Sequence, residues 1–184
     1  MNIITDCLPS WIEISGRRLN IRTDFRIWME FDRMMHLRDA PSREKFIMIC
    51  RLCIEDDILG DISPDEIMDG LCSFYLCGAK PNPKGADKAQ PVFSFSQDSG
   101  YVFAAFLSRY GIDLLSNPYM HWFVFSALLK GLDDSCRLMK IMSWRGVEPE
   151  KENNPKRKKI LRQMKEMYAR PCSSRPSSTS RRFS

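Results

Sequence analysis

The chain has 184 residues, 43% hydrophobic and 28% charged, which is close to ordinary soluble usage and enough for one packed domain. The net charge of +5 is unevenly spread: from Lys151 onward 11 Lys and Arg face two acids, a net of +9, whereas residues 1–150 carry 17 bases against 21 acids, a net of −4. An acidic body with a basic C-terminal arm points to a charged partner or to self-contact. The opening "MNIITDCLPSW" has neither a basic leader nor a sustained apolar run, which argues against a secretory signal. Seven cysteines, an odd count, argue for reduced thiols rather than a disulfide framework, so the expectation is a soluble cytoplasmic protein.

In chain order, "WIEIS" and "LNIRT" each place apolar residues on one face, Ile12 with Ile14 and Leu19 with Ile21. With "GRR" between them as the turn, they predict a short β-hairpin. Thr23 or Asp24 caps a helix through about Arg38, burying Phe25, Trp28, Met29, Phe31 and Met35, with Met34 as a further candidate for that side. A second helix begins near Ser42 and ends at the acidic "EDDILGD". "SPDE" predicts a third, with Ser63 as N-cap, Pro64 in the first turn, Glu66 closing a capping box and Gly78 after its end. Residues 79–91, rich in Pro and Lys, read as a mobile loop. "VFSFS" alternates like a short strand, and Asp98 caps a helix stopped by Gly111. Asn117 and Pro118 open another that ends at Gly131, Asp133 opens a shorter one, and Asn154 with Pro155 starts a basic helix. The expected fold is mostly α: a compact bundle of about six to seven helices, residues 23–169. It carries an N-terminal hairpin element, residues 1–22, and a disordered basic tail, residues 170–184.

Little of this looks catalytic. Cys50 and Cys53 form a CxxC, followed by Cys72 and Cys77 at about a zinc-ribbon interval. "FIMICRLCI", however, is an apolar helical run with no knuckle turn, so these read as buried thiols, with no metal and no cofactor. His36 suits a helix C-terminus, and His121 beside Trp122 lacks a nucleophile and an orienting partner. No GxSxG, P-loop or GxGxxG occurs. Asp56, Asp57, Asp61, Asp65, Glu66 and Asp69 cluster without the oxygen spacing of a calcium loop. The chain therefore reads as a non-enzyme. Its aromatic surplus, which includes Tyr101, Trp122, Phe125 and Trp144, exceeds what one stripe per helix requires. Most of it is expected in the core and a part at an interface. The basic run Lys156, Arg157, Lys158 and Lys159 could meet a nucleic-acid backbone, but the acidic body opposes this and few aromatics interleave it.

"LPSWIEISGRRLNIRTDFRIWMEF", "DSGYVFAAFLSRYGIDL", "MHWFVFSALLKGL" and "IMSWRG" together resemble, in order and spacing, the bacteriophage gene-product-fifteen family of long-tailed phages. The most diagnostic residues are Thr23 to Arg26 with Trp28, Ala104 to Leu107 with Tyr110 to Leu114, His121-Trp122 and Trp144-Arg145. The Ser/Arg-rich segment after Pro171 extends beyond the shared region. The resemblance implies a tail-assembly chaperone that binds the helical tape-measure protein in the host cytoplasm, with tube subunits as a further candidate partner, and that is absent from the mature virion. A minor tail component of the virion is the alternative. The expected mode is an apolar client helix laid into a groove. The candidate contact residues are Tyr101, His121, Trp122, Phe125, Trp144 and Lys156 to Lys159.

Overall fold

A computed structural model describes residues 2–37, 42–57, 62–79 and 92–169. The calls on the 79–91 loop beyond Ala79, on Asp61 and on the tail lie outside the described residues. The rest is a two-stranded hairpin, β1 (Trp11–Ile14) and β2 (Arg17–Asn20), followed by seven α-helices. These are α1 (Phe25–Met35), α2 (Ser42–Cys53), α3 (Pro64–Tyr75), α4 (Phe95–Tyr110), α5 (Trp122–Lys130), α6 (Arg137–Gly146) and α7 (Pro155–Met167). A 3-10 turn, Pro149–Lys151, precedes α7.

The hairpin turn is Ser15-Gly16 rather than the expected "GRR", because both residues take positive φ (49° and 75°), as a tight two-residue hairpin turn requires. Ile12 faces Leu19 across the strands, all of Ile12, Ile14 and Leu19 are buried, and Ile12 and Ile14 pack on α3. The approach is close: a Cβ on Gly70 of α3 would lie 3.2 Å from the Ile14 side chain. Arg22 then donates from Nη1 to the carbonyls of Arg51, Leu52 and Ile54 at 2.7, 3.0 and 3.0 Å. A guanidinium satisfies the orphan carbonyls of α2 and suits the negative end of its dipole.

Capping is where sequence and structure diverge most. Asp24 caps α1 as expected, accepting from the Arg26 N–H at 3.0 Å, though the helix ends at Met35. Ser63 stands at the N-cap of α3 but makes no side-chain cap. Glu66 instead accepts from the Ser15 hydroxyl at 3.0 Å, so the hairpin takes the carboxylate that a capping box would use. "VFSFS" is no strand: Phe95 begins α4 with Ser94 at its N-cap, because Phe95 turns into the core. Asp98 lies inside that helix, 1% exposed, and its carboxylate takes two bonds from Arg145 of α6, at 2.7 and 2.9 Å. It also accepts the Ser94 N–H at 3.0 Å. The remaining Arg145 donors reach Val92 O and Tyr168 O at 3.1 and 2.7 Å. One buried ion pair thereby ties together α4, α6, the end of α7 and the strand-like segment before α4.

Asn117 and Pro118 do not begin α5. Asn117 turns locally, accepting the Tyr119 N–H at 3.1 Å, and Tyr119 to His121 stay extended to pair with the chain before α1. Phe25 donates to Met120 O at 2.9 Å and Trp122 to Thr23 O at 2.7 Å. Asp133 likewise sits ahead of α6, whose N-cap position is Cys136. Its carboxylate accepts from Ser135 and from the Cys136 N–H, at 3.2 Å for the latter. Asn154 and Pro155 open α7 as expected, with Asn154 accepting from Lys156 and Arg157.

Removing Arg145 strands a buried carboxylate. Arg145→Met is expected to lower unfolding stability by about 3–5 kcal/mol. Urea denaturation measures it, and a loss under about 1 kcal/mol, the level of an exposed pair, would contradict the buried linkage.

Candidate functional site

The expected contact residues fall into three unlike settings. Trp122 and Phe125 belong to the core, and this corrects their reading as partner contacts. Phe125 is 0% exposed, with the Phe25 and Phe106 rings stacked on it at centroid distances of 4.7 and 4.9 Å. Trp122 stacks on Tyr75 at 5.2 Å, and its indole N–H donates to Tyr75 O at 2.8 Å. His121 is also buried. Its Nδ1 accepts the Phe123 N–H at 3.1 Å as the N-cap of α5, and its Nε2–H donates to Pro9 O at 3.0 Å. Such a histidine has no lone pair left for catalysis or a metal. Tyr101 packs half-buried on α4, and Trp144 stacks on Tyr168 at 5.1 Å where α6 meets α7.

The basic run is partly neutralised within its own neighbourhood. Arg157 pairs with Glu152 at 3.2 Å, while Lys158 and Arg162 converge on Glu150 at 2.7 and 2.6 Å and hold its carboxyl below the usual range. Among the described residues Lys156 and Lys159 have no carboxylate partner. Two of the described cysteines, Cys50 and Cys53, are buried. Burial pushes the Cys50 thiol up to about 11 and Cys53 up to about 12, so neither carries a thiolate at neutral pH. Among the described residues, no three His, Cys, Asp or Glu side chains gather in a way that could hold a metal ion. No described helix is long and apolar enough to cross a membrane.

An open apolar surface lies elsewhere, between α1 and α4. There an open groove of about 390 Å³ is lined by Phe25 and Met29 from α1, Phe95, Val102 and Phe103 from α4, and the Leu114-Leu115 corner after Gly111. Leu115 stands 82% exposed at its lip, and Leu107 is also exposed on α4. Its polar rim is spoken for: Arg26 pairs with Asp24 at 3.1 Å, and Arg33 with Glu30, whose carboxyl it holds below the usual range. A larger hollow of about 470 Å³ beside α2 has a mixed wall, with Arg22, Arg51, Glu55, Asp56 and Asp57 beside Phe46, Ile47, Cys50 and Ile54, and is more polar than the groove. Phe103 lies within the "DSGYVFAAFLSRYGIDL" stretch that carries the resemblance. Met29 was expected on the buried side of α1, and Leu114 stood among the family-diagnostic residues. None of them was read as a contact, because helical periodicity marks an apolar face without saying whether another helix covers it.

A family model described as "Bacteriophage Gp15 protein" matches residues 4–170. The chain belongs to this family. No curated protein and no solved structure matches it. The shared region ends at residue 170, so the Ser/Arg-rich segment from Pro171 lies outside it, as the resemblance implied. This is a phage-related protein.

The His121 cap has a pH consequence. Burial lowers the pKa of its imidazole from 6.5, outweighing the hydrogen bond to Pro9, which acts the other way. The neighbouring charges are Asp24, bridged to His121 through the backbone, and the Arg26 paired with it. Folding favours the neutral ring, so this contribution is complete above 6.5 and is lost as pH falls through 6.5 toward the lower folded value. The urea midpoint is expected to fall between about pH 7.5 and 5.5, and His121→Asn, which keeps a capping acceptor, is expected to flatten that fall. An unchanged pH slope in the variant would remove His121 as its source.

Proposed function

We propose that this chain is a non-enzymatic tail assembly protein of a bacteriophage, a chaperone that holds an apolar helix of the tape-measure protein during tail morphogenesis. The α1–α4 groove is the observation that supports the reading. It is open and apolar, its rim charges are already paired, and it offers neither a nucleophile–base pair nor a titrating cluster to a substrate. An amphipathic client helix lays side chains spaced i, i+3, i+4 and i+7 into such a cleft, and Met29 gives the wall a soft side chain that adapts to them. Membership of a phage family supports the setting, and the resemblance in the tail-cluster motifs supports the client. The site on this reading is Met29, Phe103, Leu114 and Leu115, not the buried Trp122 and Phe125. Nucleic-acid binding fits less well, since the arm's Arg157, Lys158 and Arg162 are already engaged by Glu150 and Glu152.

Co-expression with the tape-measure protein tests this. The client is expected to stay soluble and co-elute with the chain. Phe103→Glu with Leu115→Glu is expected to cut recovery of the complex by about tenfold or more, as loss of central apolar anchors does. A client equally soluble without the chain, or a chain found stoichiometrically in purified particles, would overturn the chaperone reading.

A further inference from the structure

The free edge of the hairpin offers a different kind of surface, one that shares no lining residue with the α1–α4 groove. The two-residue turn pairs Ile14 with Arg17, and Ile21 N–H donates to Ser10 O at 2.9 Å, so the even-numbered residues of β1 bond toward β2. The N–H and C=O of Trp11 and Glu13 therefore point away from β2, and among the described residues nothing meets them. The other edge is closed at Asn20, which donates its N–H to Asp56 at 2.6 Å and accepts the Glu55 N–H at 2.9 Å. An open strand edge is a template for one more extended chain. Along it runs a hollow of about 280 Å³ whose walls include Ile12 and Glu13, Ser73 and Phe74 of α3, and Phe123 of α5. Glu13 is the one charged residue among the described ones that line it. Arg18 stands directly across from Glu13, but its guanidinium lies over the Trp11 ring at 4.1 Å, and no described base pairs with the carboxylate.

We infer that the chain's own segment Thr179 to Phe183 adds to this edge as a third strand, antiparallel to β1. The sequence fits in one register. With Arg182 opposite Glu13, the alternation of a strand places both on the outer face as an ion pair. Phe183 then stands opposite Ile12 and turns inward over the hollow, toward Phe74 and Phe123. Arg181 stands opposite Ile14, at the end of β1 where Glu66 binds Ser15. Parallel pairing would put Arg181 over the apolar hollow, and a slip of one residue would turn Phe183 to solvent. Charge selects the same segment, since residues 170–184 carry four Arg and no acid. Residues 177–184 also lack proline, so each can donate to a ladder. Reach permits the contact within one copy. Arg145 holds Tyr168 O and bonds Asp98, and Phe95, one turn before Asp98, lies 6.0 Å from Trp122, the neighbour of Phe123. Residues 170–178 extend up to about 30 Å. A second copy fits this edge less well. Ile12 and Ile14 pack on α3, so joining β1 to β1 would set two α3 helices under strands ~4.8 Å apart, where packed helices need about 8–10 Å.

Amide hydrogen exchange of the full chain, read residue by residue by NMR with no client present, tests this. The Trp11 and Glu13 amides are expected to exchange about tenfold or more slowly in the wild type than in Arg182→Glu/Phe183→Ser, whereas Ile12, bonded to β2, stays equally protected in both. Glu13→Arg and Arg182→Glu are each expected to weaken the protection. The two combined are expected to restore it, because the ion pair returns with its signs exchanged, a rescue that a folding defect would not show. Protection is expected to be unchanged on dilution, as for a contact within one chain. Circular dichroism checks folding. If Glu13→Arg disturbs the hairpin, the Arg182 and Phe183 variants decide alone, since they alter no residue of the described fold. Trp11 and Glu13 amides that exchange as fast in the wild type as in Arg182→Glu/Phe183→Ser would overturn the inference. So would protection that this variant retains, which another strand would be giving, or protection lost on dilution, which a second copy would be giving. A folded Glu13→Arg/Arg182→Glu chain that stays unprotected would overturn it as well.

Discussion

Phe125 sets the arrangement of the helices around it. It sits on the nine-residue α5, fully buried, between the rings of Phe25 from α1 and Phe106 from α4, with Trp122 beside it at 5.7 Å. Stacked aromatics bury large area in fixed geometry, so the spacing of α1 and α4 is set by the ring between them. The inner edges of the two helices are wedged apart, and their outer edges bound a groove. Phe25 and Phe95 serve both sides: they pack toward Phe125, at 4.7 and 6.1 Å, and line the groove floor. The groove is therefore the outer face of the core rather than a loop-built surface. A site formed before its ligand arrives spends less ordering entropy on binding.

The same constraint explains why the family resemblance is specific without being chemical. Thr23 to Phe25 and Met120 to Trp122 lie far apart in sequence yet pair as extended backbone. Asp24 caps α1 on one side of that pairing, and His121 caps α5 on the other. The Trp144-Arg145 pair meets Tyr168 and Asp98 at the opposite end of α4. These motifs are places where a helix start or a buried charge is satisfied, and they define how the helices are knit. Two of the diagnostic residues, Phe25 and Leu114, also line the groove.

Much of the fold was legible because the decisive signals were local. Asp24 before Phe25, Pro155 after Asn154, and Gly111 at φ 66° mark helix ends by backbone chemistry alone. Where the sequence misled, a distant residue had claimed the group. Asp98 looked like a cap because Arg145 is invisible at that range, and Glu66 looked like half of a capping box because Ser15 is. Asn117-Pro118 looked like a helix start, but the pairing with Thr23 to Phe25 holds the next residues extended. For the same reason Trp122 and Phe125 could not be sorted from Phe103 by pattern. All three are aromatics on apolar helices, and only packing shows that the first two are enclosed while Phe103 opens onto the groove.

Charge complements this picture. Charges are paired where they are structurally busy, within the body at Arg33 with Glu30 and between arm and body at Arg162 with Glu150, whereas Lys156 and Lys159 have no carboxylate partner among the described residues. Among the described residues the surface offers outward an apolar groove between α1 and α4, a smaller apolar hollow lined by Phe93, Leu129, Leu138, Met139 and Met142, and a basic, partly apolar helix. The central claim is that the groove takes an apolar helix, and site-specific photo-crosslinking in the assembled complex with the tape-measure protein reads it directly. A photoreactive side chain at position 103 or 115 is predicted to trap a regularly spaced apolar stripe of that protein, whereas one at Arg18 on the hairpin is not. Crosslinks from Arg18 with none from positions 103 and 115 would contradict the account.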